Sequence, residues 1–254
     1  MKIAFIASRS EKSQQLFATL SKRYTSYPLE EAEILVALGG DGFLLHVLHR
    51  YMNFKQPIYG INCGNLGFLL NNIDITQDIY QHLQNTNQVE IMPLLGSFTN
   101  TSQQSFSYFA FNEISIMRSE PVAANLQIKL NNKIIIERLV ADGILISTPT
   151  GSTAYNRACG GPLISANSNL LAITPINSFN PLSWHGTTIN NNSTVEIMNL
   201  ETKNRTVKIA FDFKEHHNIV DAKIILSNDY KRTLLFDKNN DLESKILNAQ
   251  FHQF

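Results

Sequence analysis

The sequence predicts an α/β N-terminal domain with a parallel sheet, followed by a mainly antiparallel, β-rich C-terminal domain. Two observations carry that expectation. In the first third, apolar strand-like runs alternate with helix-like runs, the pattern of a parallel sheet covered on both faces. After about residue 95 the runs become short and strand-like, with turn residues between them.

The elements follow in order. Residues 2–7 read as a first buried strand. Residues 11–23 read as a helix, with Leu16, Phe17 and Leu20 on one face. Residues 34–38 form a strand, 43–52 a helix, and 57–61 a strand opened by Pro57. In the second half the strand candidates are 108–111, 126–130, 134–136 and 144–146, then 194–198, 206–211 and 219–227. Asn131-Asn132 suits a tight hairpin turn, because Asn tolerates the left-handed backbone region. The helical candidate in this half follows Gly151, starting near Ser152. The tail at 242–247 is helix-like.

Composition narrows the function classes. The chain has 254 residues, 43% of them hydrophobic, enough for one large or two modest domains. Formal net charge is zero and no basic stripe stands out, which argues against a nucleic-acid partner. The apolar runs are too short to span a bilayer, so no membrane association is expected. Met1–Ala7 is read as a strand rather than a leader, since Ser8-Arg9-Ser10-Glu11-Lys12 follows it with no apolar segment. Cys63 and Cys159 lack CxxC spacing and read as free thiols in a cytoplasmic protein.

Four segments carry chemistry. Gly39-Gly40-Asp41-Gly42 lies between a strand run and a helix run. A strand that ends in glycines and restarts as a helix gathers bare N–H groups beside the positive end of the helix dipole, a phosphate site. Asp41 there repels a phosphate unless it binds a metal or accepts a proton from an attacking hydroxyl, both services that phosphoryl transfer needs. Its N–H neighbours are expected to favour the ionised form. The plain alternative is a glycine-rich turn with Asp41 as helix cap.

Asn62-Cys63-Gly64-Asn65-Leu66-Gly67-Phe68-Leu69 reads as a flexible loop carrying an aromatic that closes over a base, or as an ordinary loop with Phe68 in the core. Asn112-Glu113 offers an amide and a carboxylate side by side, suited to a ribose diol or a purine edge, or else a polar pair on a strand edge. The run Asp142 to Tyr155 places five hydroxyl residues after a strand, with Pro149 and Gly151 shaping the turn. Hydroxyls and helix N–H groups there could hold sugar and phosphate oxygens. A capped helix accounts for one of the hydroxyls, not five.

The order of GGDG, NxGxLGF, NE and DGxxxSTPTGSTAY…GGP resembles the NAD kinase family over nearly the whole chain. GGDG is shared with lipid kinases and 6-phosphofructokinase; the later segments are not. The resemblance implies transfer of a phosphoryl group from ATP, or in some members polyphosphate, to the adenosine ribose 2′-hydroxyl of NAD. It implies Asp41 as the proton acceptor, with Gly39, Gly40 and Gly42 at the phosphates and Mg²⁺ arriving on ATP rather than in a dedicated metal site. At the NAD it implies Gly42, His46 one turn into the helix, and Phe68 near the adenine. Asn112 and Glu113 match the adenosine-binding pair. Asp142, Thr150, Thr153, Ala154 and Tyr155 match the lining of the nicotinamide and ribose pockets, partly from a neighbouring subunit, and Asn177 a further contact. The implied domains are 1–95, 96–235 and a segment 236–254 that packs back on the first, in a homodimer or homotetramer.

Several positions depart from the family pattern: Phe43 for Thr or Asn, Ala158-Cys159 for Ser-Ala, His185-Gly186 near a usual Arg, and Asp212-Phe213 for Asp-Gly. Other features read as structural. Asp237-Lys238-Asn239-Asn240-Asp241 mimics a calcium loop but has Leu242 where glycine is needed. His216-His217 reads as a surface pair. A lipid or sugar kinase and a catalytically silent NAD-binding regulator are the competing functions.

Overall fold

The computed structural model describes residues 1–65, 67–238 and 242–251, the side chain of Gln250 apart. The chain forms two compact units, Met1–Ile91 with Tyr230–Phe254, and Met92–Asp229.

The first unit opens as the alternation predicts. Strand β1 (Ile3–Ala7) leads to helix α1 (Glu11–Arg23), β2 (Ile34–Gly39), α2 (Asp41–Arg50) and β3 (Ile58–Asn62). Ser10 caps α1 by accepting the Ser13 N–H, and Glu11 and Arg23 sit at the dipole ends that favour their charges. A short α3 (Ile79–Gln84) and β4 (Thr86–Ile91) follow, neither expected from the periodicity. β1, β2 and β3 pair in parallel. β2 is buried along its whole length, which is why it reads as a continuous apolar run rather than an alternation.

The second unit is a sandwich of two six-stranded sheets. Its strands are β5 (Leu94–Asn100), β6 (Ser105–Ala110), β7 (Glu113–Arg118), β8 (Ala124–Leu130), β9 (Lys133–Ala141) and β10 (Gly143–Ser147). After a 3₁₀ turn (Thr150–Thr153) and a one-turn helix α4 (Tyr155–Ala158) come β11 (Leu170–Ile176), β12 (Thr187–Asn190) and β13 (Val195–Asn199). Strands β14 (Val207–Phe211), β15 (Lys214–His217) and β16 (Ile219–Leu226) complete it. The sheets run β12-β11-β10-β7-β14-β15 and β6-β5-β16-β13-β8-β9, with neighbouring strands antiparallel throughout. Ile114, Ile144 and Ile209 from one sheet share a core with Leu94, Ile128 and Ile224 from the other. Asn131 and Asn132 turn the β8–β9 hairpin at φ 50° and 66°, as their residue type predicts.

The chain then returns to the first unit. Strand β17 (Arg232–Asp237) enters the first sheet between β3 and β4, parallel to one and antiparallel to the other. Residues 235 and 236, the division implied by the resemblance, both lie inside this strand. Helix α5 (Leu242–Phe251) ends the described chain. The calcium-loop mimic falls partly outside the described residues, at Asn239–Asp241. Its first residue, Asp237, accepts the phenol proton of buried Tyr59 at 2.8 Å and lies 3.4 Å from His82. Among the described residues no helix is long and apolar enough to cross a membrane. Both cysteines are free.

Candidate active site

In the first unit, helix α2 starts at Asp41, two residues earlier than the apolar pattern suggests. Gly40 is the cap residue and makes no side-chain cap bond, so Asp41 is the first helical residue rather than the cap. Its carboxylate instead reaches across to the loop after β3. Oδ2 accepts the Phe68 N–H at 2.8 Å and Oδ1 the Leu69 N–H at 3.0 Å. The expected dominance of N–H groups over its protonation is corrected. Burial is the largest influence and pushes the Asp41 carboxyl up, while the two amides and the Lys245 charge pull it back.

The loop is tied down, not free as read from its glycines. Asn71 closes its base: its N–H donates to Gly60 O at 2.7 Å, and its amide donates to Gly60 O and Leu235 O. Lys245 of α5 donates to the carbonyls of Gly67 and Phe68, both at 3.4 Å, and to that of Leu70. Phe68 is half-buried, and Leu66 lies outside the described residues. His46 is exposed on α2.

The glycines divide by purpose. A Cβ at Gly39 would sit 2.4 Å from the Phe43 ring, so the bulky residue at 43 itself demands glycine at 39. At Gly40 and Gly42 a Cβ would meet nothing within 4 Å. Packing does not require those two; close approach of something to the backbone would.

In the second unit the third and fourth segments lie against each other. Thr148 N–H donates to Asn112 O at 2.9 Å, Thr148 Oγ1 to Phe111 O at 2.6 Å, and Thr150 Oγ1 to Phe111 O at 3.2 Å. Ser152 Oγ donates to Pro149 O at 2.7 Å and Thr153 Oγ1 to Thr150 O at 3.3 Å. Ser147 also donates to carbonyls, those of Asn112 and Thr148. The hydroxyl run thus donates to backbone carbonyls, those of Phe111 and Asn112 and those of its own turn, and the helix expected near Ser152 is a 3₁₀ turn followed by one α-turn. Side-chain to backbone bonding of this kind competes with a continuous helix.

Asn112 and Glu113 stand at the start of β7. Asn112 is 8% exposed, and its Oδ1 and Glu113 Oε2 are buried without a hydrogen-bond partner. Burial, then the neighbouring Asp212 charge, raises the Glu113 carboxyl to about 8. Asp212 holds the pair's backbone: it accepts the N–H groups of Phe111, Asn112 and Glu113 at 2.7, 2.9 and 3.2 Å. Its own φ is 53°, and exposed Phe213 follows it.

Asp142 pairs with Arg118 at 2.6 Å and accepts the Asn177 amide at 3.1 Å. Tyr155 and Asn177 line one cleft of about 490 Å³ with Cys159, Trp184 and His185. Ala154, the hinge between the 3₁₀ turn and α4, is half-buried. Burial pushes both the Tyr155 phenol and the Cys159 thiol up, and the phenol donates to Met117 Sδ at 3.8 Å. Lys245 and Trp184 gave no signal in sequence, and Asp212 showed only as a departure from the family's turn, because each matters through a neighbour distant in the chain. Of the pair read as surface, His217 is exposed, whereas His216 is half-buried, its ring stacked on Tyr108 at 4.8 Å and 5.1 Å from Phe98. Among the described residues no group of three or more His, Cys, Asp and Glu has metal-holding geometry.

A carboxylate set among glycines at a helix start beyond a parallel strand, on a chain whose other half is an antiparallel sandwich, is an arrangement suited to phosphoryl transfer. Comparison with known proteins narrows the class. Residues 8–91 match the ATP-NAD kinase N-terminal domain and residues 111–231 the ATP-NAD kinase C-terminal domain. The chain is 40% identical over 250 residues to the NAD kinases of Rickettsia peacockii (strain Rustic) and Rickettsia felis (strain ATCC VR-1525 / URRWXCal2), covering 98% of each chain. The chain belongs to the NAD kinase family. Its fold matches yeast NADH kinase complexed with NADH, with TM-score 0.81, 20% identity, and 100% and 89% of the two chains covered. It also matches an NAD kinase from Archaeoglobus fulgidus in complex with ATP, with TM-score 0.74, 19% identity, and 98% of each chain covered.

Proposed function

We propose that this chain phosphorylates the adenosine ribose 2′-hydroxyl of NAD, with ATP or polyphosphate as donor and Asp41 as general base. The observation that carries the reading is the position of Asp41. It opens α2 at the carboxyl end of β2, where open α/β sheets bind ligands. Open space at Gly40 and Gly42 supports a phosphate or sugar approaching the backbone there. A ribose hydroxyl is almost wholly protonated at neutral pH and needs a base in hydrogen-bond reach as the new P–O bond forms. Burial strengthens Asp41 as a proton acceptor, and each of its oxygens keeps a lone pair beyond the amide it already accepts. Mg²⁺ is read as travelling on the ATP phosphates, where it offsets the added negative charge.

Asn112 and Glu113 are read as holding the adenosine part of NAD; Phe68 and His46 are read as further NAD contacts. The unpartnered buried oxygens of Asn112 and Glu113 support the adenosine role, since such atoms call for a donor or acceptor that a ligand can bring. Asp142, Thr150, Thr153, Ala154, Tyr155 and Asn177 are read as lining the ribose and nicotinamide pockets. A homodimer or homotetramer is proposed, with Tyr155 or its neighbours serving an adjacent subunit. Exposed Phe179 (74%) and Leu182 (77%), beside the Tyr155 cleft in sequence, support a covered surface. A fully active monomer by light scattering at assay concentration would refute the assembly. For the activity, the test is a coupled assay of NADP formation from NAD, ATP and Mg²⁺. NADP should accumulate one for one with ADP, and a folded preparation that makes none with either ATP or polyphosphate sinks the reading.

A further inference from the structure

We propose that Lys245 is a positioning residue for the reaction: it fixes, through the loop Gly67–Leu70, the orientation of the Asp41 carboxylate. The inference rests on the reading of Asp41 as general base. The loop is gripped from two sides. On one, Asp41 accepts the N–H groups of Phe68 and Leu69 at 2.8 and 3.0 Å. On the other, the Lys245 ammonium donates to the carbonyls of Gly67, Phe68 and Leu70.

The geometry fits an orienting role. An ammonium carries three donors, and here three carbonyls of one short segment lie within its hydrogen-bond reach. Carbonyls that point at Lys245 turn the intervening peptide N–H groups the other way, and two of those N–H groups are the ones that hold Asp41. The two N–H bonds engage different oxygens of the carboxylate, so they fix its plane as well as its distance. Helix α5 is itself anchored. Leu242, Ile246 and Ala249 are buried, and the Lys245 ammonium lies over the Phe236 ring, 5.4 Å from its centre. Lys245 is also the cation that pulls the Asp41 carboxyl down against the effect of burial. The Lys245 ammonium is turned toward the loop carbonyls. Loss of Lys245 should therefore appear in turnover and not in ATP binding.

The test is steady-state NADP formation by the full chain carrying Lys245→Met, Lys245→Arg or Asp41→Asn. Lys245→Met should lower kcat by roughly 10- to 100-fold, the usual effect of misplacing a reacting group by about 1 Å, with KM for ATP and NAD within about threefold of the unaltered chain. Lys245→Arg, which keeps the charge and the donors, should recover most of the loss. A near-normal kcat in Lys245→Met, a loss confined to KM for ATP, or failure of Lys245→Arg to recover activity each overturn the proposal. Should Lys245→Met not fold, Lys245→Gln, with two amide donors and no charge, is read by the same criteria. Asp41→Asn separates the two levels. If it keeps kcat, the base assignment itself fails; if it loses kcat while Lys245→Met does not, only the positioning role fails.

Discussion

The carboxylate of Asp212 accepts the backbone N–H of Asn112 at 2.9 Å across 100 residues of chain. The same side chain takes the N–H groups of Phe111 and Glu113. The turn between β14 and β15 thereby sets the backbone from which the Asn112 and Glu113 side chains project. Asp212→Ala strands three N–H donors at once. Bonds to a charged acceptor contribute about 1.5–3 kcal/mol each, and water or relaxation recovers part of that. A loss of roughly 2–4 kcal/mol in urea unfolding is expected, with KM for NAD raised at least tenfold. Unchanged stability and KM would show that the turn is a bystander.

Glu113 should make the protein pH-sensitive. Its folded carboxyl holds a proton up to about pH 8, against 4.5 ordinarily, so the folded state binds that proton more tightly than the unfolded chain. The sign follows: the contribution to stability is complete below about pH 4.5 and drains away as pH rises through about 8. Glu113→Gln, which mimics the protonated form, should flatten that part of the stability profile. Urea titrations at several pH values decide the point, and parallel slopes for both proteins would contradict it.

Asn112→Ala removes a buried amide whose oxygen has no partner within the protein. Stability should change little through that atom, while KM for NAD should rise by about 10- to 100-fold, the effect of one or two lost ligand hydrogen bonds. A folded variant with unchanged KM would assign the pair to structure.

Asp41→Asn should keep the fold, since an amide oxygen can still accept one of the loop N–H groups, and should lower kcat by about 10²–10⁴-fold. In the unaltered chain the base must be ionised. Because burial raises its carboxyl, activity should fall on acidification at a pH above the ordinary aspartic range. Asp41→Asn with near-normal kcat would remove Asp41 as the base.

The glycines allow a matched pair of substitutions. Gly151→Ala would put a methyl carbon 2.1 Å from the Asn112 carbonyl oxygen and 2.4 Å from its carbon. Backbone must move, and a destabilisation of about 1–3 kcal/mol is expected. Gly40→Ala meets nothing within 4 Å and should change stability by less than about 1 kcal/mol while reducing kcat/KM. Thermal melts beside kinetics test both. Equal destabilisation by the two would erase the distinction between a packing glycine and a ligand glycine.

The fold was legible where a local rule is strong. β2 announces itself because burial on both faces leaves an unbroken apolar run, and α1 because its apolar face, cap and charges agree. The Asn131-Asn132 hairpin follows from residue type alone. α3 and β4 were not legible, being short and rich in polar residues. The continuous helix expected near Ser152 was misread, because the hydroxyls of Thr148 and Thr150 bond the Phe111 carbonyl and those of Ser152 and Thr153 bond carbonyls of the turn itself.

By itself the sequence determined the fold class, the turns and the chemical identity of the candidate groups, since glycine content, apolar period and a carboxylate among glycines are properties of neighbouring residues. The tertiary structure alone decided their state. It buried Asp41 enough to outweigh the N–H groups beside it, set Asp212 under Asn112 and Glu113, and brought Lys245 to the loop that holds Asp41. The physical reason is that desolvation and hydrogen-bond geometry depend on which distant segments exclude water from a group, and sequence spacing carries no record of that.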